Sequence, residues 1–245
     1  MINYNDKTIR SRPLYDMFTA PALPRFYDLI NRVLTWGFDK QWRREAAREC
    51  LTSQPGKVLD LCCGTGDLAI NLARLAENNV ELTGIDYSQP MLEVAAKKAE
   101  ILANGRKISF TYGDATNLPF PDGYFDCIGI SFAFRNLTYK NPLAQRYIAE
   151  ILRALNINGK FVIVETSQPR TKLIRKLYHL YLRWFVFRMG YLLSRNRGAY
   201  HYLAESAARF YTPEEIKEML FAAGFRQVSF RPLFLGAIGI HVAIK

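Results

Sequence analysis

Three short stretches carry groups that could hold a small polar ligand. The first is Val58-Leu59-Asp60-Leu61-Cys62-Cys63-Gly64-Thr65-Gly66-Asp67, an apolar strand-like run that enters a glycine turn and then a helical stretch from Leu68. Gly64 and Gly66 carry no Cβ, so the backbone there can turn tightly and approach a ligand closely. The helix start behind the turn offers free amides to a polar or anionic group. The second is Asp86, twenty residues beyond Gly66, which ends the run Leu82-Thr83-Gly84-Ile85 and precedes Tyr87. A carboxylate at that place can accept both hydroxyls of a ribose in charge-assisted bonds; its alternative role is to cap the helix that starts near Pro90. These two features also suit a dinucleotide, with Ala69 where the third glycine of that fingerprint would fall. The third is Gly113-Asp114-Ala115-Thr116, followed by Leu118-Pro119-Phe120-Pro121-Asp122 and Phe125-Asp126. Asp114 can accept the exocyclic amine of an adenine while apolar neighbours cover the ring, or it can make an Asx turn.

These stretches need a scaffold that brings strand ends together. Short β-branched and apolar runs at Lys57–Leu61, Val80–Asp86, Ile108–Gly113, Phe125–Ser131 and Lys160–Thr166 alternate with helical stretches at Leu68–Glu77, Gln89–Ala103 and Leu143–Leu155. Such alternation predicts βαβ units and a parallel sheet. Thr212-Pro213-Glu214-Glu215 supplies an N-cap, a first-turn proline and first-turn acids for a helix that Gly224 ends. Gln227–Phe230 and Ala237–Ile244 then read as an antiparallel hairpin closing the sheet. The expected fold class is α/β, a doubly wound, seven-stranded, mostly parallel sheet with N-terminal helices and a helical lid. Phe26, Leu29, Ile30, Val33 and Leu34, then Trp42, Ala46 and Ala47, recur at helical spacing before the first strand.

Composition narrows the classes. At 245 residues with 49% hydrophobic and 22% charged residues, the chain suits a globular protein with a full core rather than a disordered one. No uncharged apolar stretch reaches about 18 residues, which argues against a membrane span, and Met1 to Arg12 carries no signal-like apolar region. Cys50, Cys62, Cys63 and Cys127 show no metal-ligand spacing, so no metal is expected and the thiols read as small buried residues of a cytoplasmic protein. The net charge of +11 calls for an anionic partner or surface.

From Pro169 to Arg197 there are eight Lys or Arg residues and no Asp or Glu. Leu173, Leu177, Leu180, Trp184, Phe187 and Tyr191 follow at three- and four-residue steps, an amphipathic helix with basic flanks. Two readings stand beside each other: a lid packed on the domain with its charges solvated, and a helix lying at an anionic membrane surface.

The "GDA…LPFPDGYFD" run around Asp114 looks like the adenine loop of class I methyltransferases, and the rest of the chain resembles a narrower family, the ubiquinone/menaquinone biosynthesis C-methyltransferases. Tyr27-Asp28-x-x-Asn31-x-x-Leu34-Thr35 with Asp39 and Trp42 resembles its N-terminal signature. Ile130 to Thr138 is similar to its "SFGxRN" segment, and Arg153-Ala154-Leu155 through Gly159 with Val164-Glu165-Thr166-Ser167 to its second signature. Tyr202-Leu203-Ala204-Glu205-Ser206 matches further. Three positions depart: Asp39 replaces a histidine, Ala133 a glycine, and Asn156-Ile157-Asn158-Gly159 a "KPGG" loop.

The resemblance implies S-adenosyl-L-methionine as methyl donor, contacted by Gly64, Thr65, Gly66, Asp86, Tyr87, Asp114, Ala115 and Ser131. It implies methylation of a ring carbon of a lipophilic prenylated quinol, with Arg135 and Asn136 at the substrate edge. Arg135 would stabilise a phenolate or hold a water, or else pair with an acid to fix its loop; His201, Tyr200 and Tyr202 are candidate bases. Residues 1–245 are expected to form one methyltransferase domain, in which 1–54 supply a helical substrate cover and 169–210 an inserted lid. No nucleic-acid partner is expected, a homodimer is an option, and a peripheral position at the inner face of the membrane fits the substrate. The alternatives are methylation of another apolar or phenolic small molecule and, further off, an RNA-binding or RNA-modifying protein, which the interleaving of charge with large apolar residues disfavours.

Overall fold

The computed structural model describes residues 24–194 and 197–245, so the first 23 positions of the expected N-terminal cover lie outside the described residues. Lys57–Leu61 (β1), Glu81–Asp86 (β2), Ser109–Tyr112 (β3), Phe125–Ser131 (β4), Leu155–Thr166 (β5), Gln227–Leu233 (β6) and Ile238–Ile244 (β7) form one sheet in the order β3-β2-β1-β4-β5-β7-β6. Neighbours pair in parallel through β5, and β7 runs antiparallel to both β5 and β6. The chain winds outward from β1 through β2 to β3, then returns to β4 on the other side of β1. That reversal opens a crevice at the carboxyl ends of β1 and β4, where ligands of open α/β sheets bind.

Both sheet faces are covered, and strand alternation sorts side chains between them. Leu59, Leu61, Ile128, Ile130, Phe161 and Ile163 join one core cluster. Val58, Cys127, Val162 and Val164, one step out of phase, join the other. The first face is covered by Ala144–Ala154 (α6) and Pro213–Ala222 (α10), and the second by Asp39–Leu51 (α2) and Asp67–Leu75 (α3). Pro24–Leu34 (α1), Gln89–Leu102 (α4) and the short Phe134–Thr138 (α5) complete the helices before the lid. All four cysteines are free.

Several boundaries differ from the sequence reading. β5 starts at Leu155, directly after α6, because Leu155 pairs with Phe125 before the register shifts toward Cys127. β6 runs on to Leu233 despite Pro232, which is tolerated because β6 is an edge strand. Thr212 makes a reciprocal capping box with Glu215, and Gly224 takes φ +110° just beyond α10.

The lid consists of Lys172–Tyr181 (α7), a π turn at Leu182–Val186, Phe187–Ser194 (α8) and Arg197–Ala208 (α9). Its buried face packs against Ile30 and Leu34 of α1 in a separate cluster containing Leu182, Val186, Ala199 and Tyr200. The apolar stripe marked by the sequence points the other way: Leu173, Leu177, Leu180, Trp184 and Tyr191 are 48% to 65% exposed. Both faces of the segment are apolar, and the π turn shifts their phase, so the stripe with the plainest spacing is the outer one.

Gly190 of α8 lets the ring of Tyr200 on α9 close onto the helix backbone; a Cβ there would overlap the ring. Gly190→Ala is expected to lower unfolding stability by about 1–3 kcal/mol through overpacking, outweighing a helix-propensity gain of about 1 kcal/mol. Urea unfolding of the variant beside the native chain checks this; a gain in stability would show that the two helices pack more loosely.

Candidate active site

The turn after β1 is built from backbone that few residues tolerate. Cys62, Gly64 and Gly66 have φ values of +54°, +54° and +79°. A Cβ on Gly66 would lie 3.0 Å from the Ala95 Cβ and 3.3 Å from the Phe110 ring, so this glycine permits the turn to approach α4. Asp60 Oδ2 accepts the Ala69 N–H at 2.9 Å and fixes the start of α3. Asp86, at the end of β2, is 7% exposed; its Oδ2 accepts the Gly64 N–H at 2.8 Å and its Oδ1 the Ser88 N–H at 2.9 Å. It thereby fastens the glycine turn to the following loop, while the N-cap of α4 is Ser88. Burial pushes the Asp86 pKa up against these amides, which pull it down.

Between these elements lies a cavity of about 90 Å³ whose wall includes Gly64, Thr65, Asp86, Tyr87, Ser131 and Asn136. Gly66, Asp114 and Ala115 are not part of that wall. Asp114 Oδ1 accepts the Thr116 N–H at 2.8 Å in an Asx turn, and Ala115 packs against the core. The loop still starts beside the site, because the Gly113 N–H bonds the Asp86 carbonyl at 3.0 Å.

A charged strap that the sequence does not advertise starts from Thr65 and Asp67 in this wall. Thr65 Oγ1 donates to Asp28 Oδ1 of α1 at 2.6 Å, and Lys98 Nζ of α4 bonds Asp28 Oδ2 and, at 2.6 Å, Asp67 Oδ1. α1 is thus held against the glycine turn, with Tyr27 in the wall. Desolvation opposes ionisation of Asp67, but Arg43 and Lys98 outweigh it and leave its pKa below the ordinary value.

A second cavity of about 150 Å³ lies between the ends of β4 and β5, α1 and the lid. Its lining is mostly aromatic and aliphatic, including Leu34, Tyr178, Leu182, Val186 and Tyr200. Tyr27, Arg43, Phe132 and Asn136 belong to both cavity walls, so the two chambers meet there. Arg43 is buried, donates to Asp39 Oδ2 at 2.7 Å and lies 5.1 Å over the Phe132 ring. It escaped the sequence reading because it sits within a charged helical run, Asp39-Lys40-Gln41-Trp42-Arg43-Arg44.

Arg135 is the second residue of α5 and is buried at the wall of the second chamber. Its backbone N–H reaches Glu165 Oε2 at 3.0 Å, its Nε lies 3.8 Å from Glu165 Oε1, and its guanidinium donates to Ser206. The acid partner weighed for Arg135 is therefore present. The Asn136 Oδ1 and Ser131 Oγ atoms are buried with no partner. Tyr202 is buried with its hydroxyl unpartnered, and desolvation raises its pKa, but it lies outside both walls. His201 also lies outside them. α9 turns it outward, edge-on to Phe187 with ring centroids 6.0 Å apart, while Ala199, Tyr200, Leu203 and Ala207 face the chamber.

A glycine turn after β1, an acid ending β2 and a sheet closed by a reversed strand define the class I S-adenosylmethionine-dependent methyltransferase architecture. A structure of a SAM-dependent methyltransferase from Aquifex aeolicus shares that fold with a TM-score of 0.60 at 17% identity, over 92% of this chain and 97% of its own. Residues 10–245 match the ubiE/COQ5 methyltransferase family, and the chain belongs to that family. It is 41% identical over 241 residues to a demethylmenaquinone methyltransferase of Deinococcus radiodurans, covering 98% of this chain and 95% of the relative. It is 34% identical to a ubiquinone/menaquinone biosynthesis C-methyltransferase of Geobacter sulfurreducens, covering 97% and 90%. The protein is a methyltransferase.

Burial raises the Asp60 pKa from 3.8 to about 8, against the Ala69 amide and Arg43, which lower it. The folded chain therefore keeps this proton over a range where the unfolded chain has lost it. The stability Asp60 contributes is complete below pH 3.8 and is lost as the pH rises toward 8. Asp60→Asn removes the titration, so its unfolding free energy relative to the native chain is expected to rise between about pH 4 and 8. Urea unfolding across that range checks it, and a difference that stays flat would count against a protonated Asp60.

Proposed function

We propose that the protein transfers the methyl group of S-adenosyl-L-methionine to a ring carbon of a prenylated quinol of the demethylmenaquinol or 2-polyprenyl-6-methoxy-benzoquinol type. The observation that carries this reading is a polar chamber and an apolar chamber sharing one wall at Tyr27, Arg43, Phe132 and Asn136. The relatives named for quinone methylation support the substrate class.

Unpartnered polar atoms in the polar chamber support the donor reading. The orphaned Ser131 Oγ and Asn136 Oδ1 want partners there, and the Asp86 carboxylate, which bonds the amides of Gly64, Ser88 and Tyr87, retains some acceptor capacity. Asp86 would take ribose hydroxyls, the backbone at Gly64 and Thr65 would meet the methionyl part, and Asp114 with Ala115 would close on the adenine beyond the enclosed cavity. The sulfonium supplies an electrophilic methyl and its own leaving group. The chain's part is to hold the two reactants in line, exclude water and manage a proton. Arg135, desolvated in the apolar chamber, can stabilise negative charge on a ring oxygen.

The helices at 24–54 and the segment 169–210 act as covers of the acceptor chamber within one methyltransferase domain. No described helix is long and apolar enough to cross a membrane, yet the outer lid stripe is flanked by exposed Arg170, Lys172, Lys176, Arg183 and Arg188, with Arg188 4.0 Å over Trp184. Each basic side chain near an anionic bilayer contributes about 1 kcal/mol, and an apolar stripe beside them can sit among the headgroups. The reading is a cytoplasmic enzyme held peripherally at the inner face, collecting its acceptor from the bilayer.

Labelled S-adenosylmethionine, chemically reduced prenylated naphthoquinone and the protein, followed by mass spectrometry, test the reaction; a methylated quinone is expected, and label on RNA would overturn it. Asp86→Ala is expected to weaken donor binding at least tenfold by calorimetry, and unchanged affinity would remove Asp86 from the donor site. Leu177→Asp with Trp184→Asp is expected to abolish co-flotation with phosphatidylglycerol vesicles while donor binding persists. Undiminished flotation would move the lipid contact elsewhere.

A further inference from the structure

Carbon methylation of a quinol needs a ring made electron-rich by loss of a hydroxyl proton, which a group in the acceptor chamber or a water held there takes. The chamber offers few. Glu165 is the one carboxylate among its described lining residues, and no histidine lines it. Arg43 and Arg135 cannot accept a proton. Desolvation raises the pKa values of Tyr27, Tyr178 and Tyr181 above the ordinary phenol value, which keeps those phenols protonated, and Tyr200, the other candidate base that lines the chamber, is likewise a phenol, a poor proton acceptor near neutral pH.

Glu165 is placed for the task by the sheet. It follows Val164, whose carbonyl accepts the Phe132 N–H at 2.9 Å, and Phe132 belongs to both cavity walls. The carboxylate therefore lies next to the place where the chambers meet. Its Oε1 accepts the Thr166 N–H at 2.8 Å and the Thr166 hydroxyl at 3.0 Å, and its Oε2 accepts the Arg135 N–H at 3.0 Å. These bonds hold one orientation and leave Oε2 acceptor capacity. Arg135, Tyr178 and Tyr202 are among the charged and titratable groups around it.

We propose that Glu165 is the general base that takes the hydroxyl proton of the quinol, with the Arg135 guanidinium stabilising the oxygen anion left behind. The inference rests on the quinol reading above. The O–H bond breaks, its proton goes to a Glu165 oxygen, and its electron pair enters the ring. The ring carbon then forms a bond to the methyl carbon while the C–S pair leaves with sulfur. Finally the proton on that ring carbon is lost to water, its C–H pair restores the aromatic ring, and Glu165 returns its proton to the oxygen. One proton is released to solvent per turnover.

The test compares two acceptors that differ only in acidity: a reduced prenylated naphthoquinone, and the same quinol bearing an electron-withdrawing ring substituent that ionises its hydroxyl at the assay pH. For E165Q, kcat is expected to fall about 10²–10⁴-fold with the neutral acceptor, and by less than about tenfold with the pre-ionised one. Donor affinity by calorimetry should stay at the native value. A second variant, E165D, keeps a carboxylate at shorter reach and should show the same pattern more weakly; it carries the comparison if E165Q does not bind the donor. Native kcat for E165Q on the neutral acceptor would overturn the proposal. So would an equal loss on both acceptors, which is what a purely positioning role through Arg135 predicts. If the native protein methylates neither quinol, the functional reading itself fails and takes this proposal with it; if it methylates both, only the role of Glu165 is being judged.

Discussion

One carboxylate holds the donor side together. Asp86 accepts the amides of Gly64 and Ser88, so a single buried anion ties the loop after β1 to the loop after β2. It shares the work with backbone bonds of the turn, Gly66 N–H to the Cys63 carbonyl at 2.8 Å and Cys63 N–H to the Ile85 carbonyl at 3.0 Å. The cavity opens on the other side of β1, toward Ser131 at the end of β4, where the sheet reverses. Asp60 makes a comparable tie one step back, its carboxyl accepting the Ala69 amide and joining β1 to the first turn of α3.

The fold is largely legible in the sequence because buried parallel strands are short, apolar and separated by well-marked helices. Lys57–Leu61 and Phe125–Ser131 coincide with their strands, as a run bounded by a turn glycine and a charged helix start should. The hairpin at the carboxyl end is equally plain, although Pro232 conceals the length of β6, since proline speaks against a strand unless the strand is at an edge. In the lid, periodicity identifies a helix with an apolar stripe but cannot choose between two such stripes. Tyr178, Tyr181, Leu182 and Val186 face the chamber, while the more regular leucine series faces outward.

The candidate site divides along a similar line. Gly64, Asp86 and Ser131 stand out because their surroundings are local: a turn, a strand end, a short motif. Glu165, Arg43 and Lys98 do not, because their meaning comes from residues far away in the chain. Glu165 reads as the polar end of a buried strand until Arg135 is seen across from it, and Lys98 reads as a solvated helix charge until Asp28 and Asp67 close on it. His201 shows the converse. A histidine beside a recognisable segment attracts attention, yet the helix phase turns it away from both chambers.

The strap through Asp28, Lys98 and Asp67 has a thermodynamic consequence. It fastens to the donor loop the same helix, α1, that contributes Tyr27, Asn31 and Leu34 to the acceptor chamber. A ligand that shifts α1 on entering one chamber alters the free energy of occupying the other, and by reciprocity the second ligand returns the same coupling to the first. Two reactants that meet only at the transferring methyl are thereby made to report on each other through one rigid element as well.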